Sequence, residues 1–73
     1  MRVQVNLVTG KDVNEFVQVV STLGDDVEVL LTDANKFCVS AKSLLGAICT
    51  IDWTEVYCIC DKDISGIILP WII

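Results

Sequence analysis

A chain of 73 residues has room for one domain around one modest core, and with 53% apolar and 21% charged residues it is composed to fold. Its formal net charge of −5 repels phosphate backbones, so nucleic acid is not expected as a partner. A basic or amphipathic protein surface stays open as one.

The chain begins with alternation. Residues 2–8 place Val3, Val5 and Leu7 between polar neighbours, the period-2 pattern of a half-buried strand. Thr9, Gly10 and Lys11 break it. Asp12 is the expected N-cap of a first helix, with Glu15 completing a capping box. Val13, Phe16, Val17, Val20 and Leu23 form one stripe at helical spacing, which predicts a helix over 13–23. Gly24 follows as an expected left-handed terminator.

Residues 27–32 read as a second strand and 37–40 as a short third one. Between them, Asp33-Ala34-Asn35-Lys36 has hairpin-turn chemistry. The run 41–48 is rich in helix formers, and Ser43 can cap its first turn. A loop through Asp52 and Trp53 leads to a fourth strand over 55–60. Asp63 is expected to cap a short last helix that Pro70 interrupts. The order is βαββαβ with a stub of helix. Two helices that cannot sit inside hairpins must cover one face of a shared sheet, which gives a two-layer α+β sandwich in a single domain, 1–73.

The four cysteines, Cys38, Cys49, Cys58 and Cys60, lie inside apolar segments, as small buried hydrophobes do. Cys58 and Cys60 would stand about 7 Å apart on one strand face, a poor geometry for a disulfide. A thiolate zinc site would need Cys38 and Cys49 to converge on them, so no metal is expected. No charged and then apolar leader opens the chain, and the apolar run 64–73 is shorter than the roughly 20 residues of a bilayer span. The expectation is a cytoplasmic protein without membrane contact.

Gly10-Lys11 lacks the glycine spacing and following hydroxyl of a phosphate loop, and Asp25-Asp26 and Asp61-Lys62-Asp63 lack the ligand pattern of a calcium loop. Without a nucleophile–base pair or glycine-rich cradle, neither an enzyme nor a cofactor is expected.

The segment Val39-Ser40-Ala41-Lys42-Ser43-Leu44-Leu45-Gly46-Ala47-Ile48 resembles the second-helix signature of the HPr family of the bacterial sugar phosphotransferase system. Glu15-Phe16-Val17, within the first helix, is similar to that family's first helix, and the likeness in element order covers nearly the whole chain. The resemblance implies an open-faced sandwich with an antiparallel sheet in strand order 1-4-2-3 and all helices on one face. Two departures qualify it. The family's phosphocarriers hold a histidine between strand 1 and helix 1, whereas this chain has Val8 to Asp12 there and no histidine anywhere. No imidazole is present to act as the nucleophile for reversible phosphoryl transfer. Asp12 could in principle form an acyl phosphate, but a helix cap is the role expected of it. The family's long third helix is also replaced, here by residues 64–73.

The resemblance therefore implies a non-enzymatic protein close to the catabolite-repression variants of HPr. Its partners would be an HPr kinase, a sugar-specific enzyme or a transcription regulator. Ser43 matches the serine that regulatory kinases phosphorylate; the alternative is a plain cap. Lys42, Leu44, Leu45 and Ile48 fall where the family meets partner proteins. On so short a helix the three apolar residues cannot all face inward. The alternative is that Leu45 is core and the others are incidental. At the end of the chain, Trp71, Ile72 and Ile73 can either fold back over the sheet edge or pair with another copy, and self-association is the expectation. A self-associating accessory domain that keeps the scaffold without phosphotransferase partners is the rival reading.

Overall fold

A computed structural model of the chain describes residues 1–33 and 37–73. Strands β1 (Arg2–Val5), β2 (Val29–Thr32), β3 (Cys38–Ser40) and β4 (Val56–Cys60) form one antiparallel sheet in the order β1-β4-β2-β3. Three α-helices accompany them among the described residues: α1 (Gly10–Val20), α2 (Leu44–Ala47) and α3 (Ser65–Ile68). The fold is α+β with an open sheet.

Register explains which side of the sheet is covered. Cys58 of β4 stands opposite Val3 on one side and Leu31 on the other, and Cys60 opposite Val29. This face meets Val13, Phe16, Val17 and Val20 of α1, with Ile64, Ile68, Ala41 and Ala47 closing the core. The alternate residues Arg2, Gln4, Leu30, Thr32, Tyr57 and Ile59 lie on the uncovered face, where the Arg2 guanidinium sits 4.5 Å from the Tyr57 ring centre.

Helix α1 starts three residues earlier than the sequence pattern predicts. Thr9, in extended backbone, accepts the Asp12 N–H on its hydroxyl at 3.1 Å, while the Asp12 carboxylate accepts the Thr9 N–H at 3.2 Å. Asp12 is thus the acidic member of the capping box rather than its N-cap, and Glu15 is left exposed on the helix surface. The helix also ends early. Thr22 and Leu23 bond back three residues to Val19 and Val20, tightening the last turn, so Gly24 is not a left-handed terminator.

The predicted second helix shrinks to one turn. Ala41 still bonds to the Val29 carbonyl as an extension of β3, and Ser43 caps only Leu44–Ala47. A 3-10 segment, Ile48–Asp52, continues the chain into the residues read as loop. β-Branched Ile48, Thr50 and Ile51 are weaker α-helix formers, and the buried Thr50 hydroxyl donates to the Ala47 carbonyl at 2.8 Å.

Two cysteines are not buried as the sequence implied. Cys38 points to the open face of edge strand β3, and Cys49 lies on the outside of the 3-10 segment. Cys58 and Cys60 are buried and unbridged. Residues 34–36, the body of the predicted hairpin turn, lie outside the described residues. Ile64 rather than Asp63 is the N-cap of α3, although the Asp63 carboxylate accepts the Ser65 N–H at 3.0 Å and its hydroxyl at 2.6 Å.

After α3, a turn at Leu69–Trp71 returns the chain to the free edge of β1. There Asn6 N–H donates to the Trp71 carbonyl at 2.7 Å, Ile73 N–H donates to the Gln4 carbonyl at 3.1 Å, and Ile72 pairs with Val5. Trp71 meets Phe16 edge to face, with ring centres 5.4 Å apart. Of the two outlets for the tail, the backbone takes the fold-back onto its own sheet.

Candidate protein-docking surface

Strand β3 delivers the chain to Ser43, whose backbone is extended (φ −99°, ψ 111°) and whose hydroxyl oxygen accepts the Gly46 N–H at 3.2 Å. Gly46 lies against the sheet, where a Cβ would make ordinary contact at 3.4 Å from the Val39 Cβ and 3.5 Å from the Ser43 Oγ. Ala47 and Thr50 face inward from this anchored segment, so its remaining side chains must face out.

Those outward side chains are apolar. Leu44 is 46% exposed, Ile48 39% and Leu45 82%. Leu45 is therefore not core but the most exposed of the three. Phe37, also exposed, stacks on Trp53 with ring centres 6.2 Å apart and planes 27° from parallel. That stack joins the start of β3 to the residue following the 3-10 segment, and sequence reasoning missed it. Large apolar side chains exposed on one short segment, Leu44 to Ile48, are the composition of a site for transient protein contact.

Lys42 is oriented differently from its neighbours. Its half-buried side chain crosses to the end of α1, where the ammonium donates to the Leu23 carbonyl at 3.3 Å and the Gly24 carbonyl at 2.8 Å. It holds two segments of the chain together while Leu44 and Leu45 face solvent.

Among the described residues, three titratable side chains depart from their ordinary values. Burial, and secondarily the neighbouring Cys60 sulfur, push the Cys58 thiol up to about 11, so it keeps its proton at neutral pH. A hydrogen bond with the Glu55 carboxylate at 2.9 Å raises Tyr57. Hydrogen bonds from Ser65 lower Asp63. Asp12 also accepts from the Val8 N–H at 3.3 Å and so serves as a cap. Among the described residues, no three metal-binding side chains cluster, and no helix is long and apolar enough to cross a membrane.

Trp71, Ile72 and Ile73 lie apart from this surface, on the edge of β1. Comparison with known proteins adds no relative: no family model matches the chain, and neither a curated protein nor a solved structure matches it significantly.

Proposed function

We propose that the chain is an HPr-like protein related to the phosphoenolpyruvate-dependent sugar phosphotransferase system, working by protein contact around α2 and not as a histidine phosphocarrier. The observation that carries this reading is the exposed apolar group Leu44, Leu45 and Ile48 beside a serine that caps α2. The sheet order and the absence of histidine from the chain fit it. Docking is driven by burial of that group against a partner such as an HPr kinase or a transcription regulator. No cofactor or catalytic step is involved.

Ser43 is the point of control in this reading. Its hydroxyl is exposed, and phosphorylation would place nearly two negative charges next to Leu44 and Leu45 while competing with the cap to Gly46. The same modification would favour a partner carrying arginine and disfavour one with a purely apolar face.

Titration of the chain with an HPr kinase and with a catabolite regulator tests the reading. Saturable binding that Leu45→Glu abolishes, with the fold intact, is expected. Binding unaffected by Leu45→Glu and Ile48→Glu would remove the surface from consideration. The rival reading, a self-associating accessory domain, draws on Ile67, Leu69 and Ile73, which are exposed near the tail.

A further inference from the structure

Two clefts flank Trp71 on the side of α1 that the tail approaches. One, of about 660 Å³, is lined by Asn6, Asp12, Glu15 and the tail from Pro70 to Ile73. The other, of about 440 Å³, is lined by Glu15, Gln18, Val19, Thr22 and Trp71. They share Glu15 and Trp71, so together they form one groove along the exposed side of α1. From Asp12 to Thr22 the helix rises about 15 Å, room for about five residues of extended chain.

The lining of this groove has one sign of charge. Among the described residues, Asp12 and Glu15 are its only charged side chains, and both are acidic, in a protein whose net charge is −5. Asp12 is held in the capping box, but Glu15 makes no hydrogen bond or ion pair among the described residues. It lines both clefts together with Trp71, whose side chain is half-buried. A carboxylate next to an aromatic face is the chemistry that holds a guanidinium or ammonium group. The charge pairs with the carboxylate, and the cation or its flat apolar stem lies against the ring.

We propose that this groove binds an extended basic segment of a partner protein, with one arginine or lysine side chain lying against Trp71 and its charge at Glu15. Asn6, Gln18 and Thr22 supply polar contacts for the segment's backbone, and Val19 and Ile72 supply its apolar floor. The site is separate from the Ser43 surface and does not depend on what docks there.

The probe is a fluorescein-labelled hexapeptide of alternating arginine and valine, with a glutamate-for-arginine counterpart as control. Its binding is followed by anisotropy and by amide and indole NMR shifts of the full chain. The arginine peptide should shift the Trp71 indole signal and the amides of Glu15, Gln18 and Val19, leaving the Trp53 indole unmoved. Glu15→Gln should weaken binding about two- to fivefold, the scale of one exposed ion pair. Asp52→Asn, which removes the same charge from outside the groove, should weaken it far less. Equal weakening by both variants, shifts spread over all acidic positions, shifts centred on Trp53, or no saturation by millimolar peptide would each overturn the proposal. Trp71→Phe, which retains an aromatic face, should bind more weakly than wild type but more tightly than Trp71→Leu.

Discussion

The Lys42 ammonium donates to the Gly24 carbonyl at 2.8 Å, joining the residue before the α2 cap to the loop that ends α1. A cation at the carbonyl end of a helix meets the negative end of its dipole, and α1 has no basic residue of its own in its last turn. Lys42 supplies that charge from elsewhere in the chain. Lys42→Met keeps the stem and removes the charge, and it should destabilise the fold by about 1–2 kcal/mol in urea unfolding. Lys42→Arg should recover part of the loss. A Lys42→Met variant with unchanged stability and weakened partner binding would instead make Lys42 a docking residue.

Two overlapping sequence patterns compete to start α1, Thr9 with Asp12 and Asp12 with Glu15, and the hydrogen bonds select the first. Thr9→Ala should therefore cost about 1 kcal/mol. Glu15→Ala should stay within about 0.5 kcal/mol, as for an exposed helix position. The opposite ranking in thermal or denaturant unfolding would place the helix start at Asp12.

Much of the architecture is legible in the residues, for reasons these examples make clear. Period-2 alternation marks the first strand because Val5 and Leu7 are buried and Val3 packs against the same core, and the stripe from Val13 to Val20 marks α1 for the same reason. Alternation does not say which strands are neighbours; the order of the sheet was an expectation from the HPr resemblance. Element ends were less legible. Capping depends on which of two similar side chains captures the first amides, and α2 gives way after Ala47 to a 3-10 segment whose Thr50 hydroxyl bond no periodicity reveals. At the surface, the crowding of Leu44, Leu45 and Ile48 on one short helix pointed to exposure, but not to Leu45 as the most exposed. The Phe37–Trp53 stack joins residues far apart in sequence and left no local trace.

Leu45 offers a clean separation of docking from stability. At 82% exposure it contributes little to the core, so Leu45→Glu should change unfolding free energy by less than about 0.5 kcal/mol. Ser43→Ala should cost about 0.5–2 kcal/mol by removing the cap to Gly46. If an HPr kinase acts on the chain, all label should disappear with Ser43→Ala. Incubation with enzyme I and phosphoenolpyruvate should leave the mass unchanged, because no histidine is present. An acid-labile phosphoryl adduct under those conditions would contradict the proposed function.

The cysteines divide by environment, and pH should expose the division. The unfolded chain releases the Cys58 proton near its ordinary value of 9.0, whereas the folded chain holds it up to about 11. Stability from this group is therefore complete below the unfolded value and is lost as pH rises through the folded one. Cys58→Ala should flatten that alkaline limb. At the acid end the sign reverses. Asp63 is lowered by its Ser65 hydrogen bonds, so its contribution is present above the ordinary carboxylate value and lost as pH falls through the depressed one. A thiol reagent at neutral pH should label Cys38 and Cys49 rapidly, but Cys58 and Cys60 only on unfolding.

The tail decides between packing within the chain and association between chains. The Ile73 N–H donates to Gln4, the Trp71 carbonyl accepts from Asn6, and Trp71 rests on Phe16. With its main-chain groups occupied in this way, the β1 edge has little left to offer a second copy. Repulsion between chains of charge −5 acts in the same direction. The expected result is a concentration-independent monomer of 8.0 kDa by sedimentation, with the Trp71 indole shielded from acrylamide on the side packed against Phe16. Ile73→Pro removes one of the two donors that fasten the tail without touching the core. It should leave β1 open and produce concentration-dependent association. A wild-type chain that already dimerises at micromolar concentration, and that loses the dimer when Leu69 and Ile73 are both changed to serine, would instead favour the self-associating reading. In that case the exposed apolar side of the tail, rather than its backbone, would be the contact.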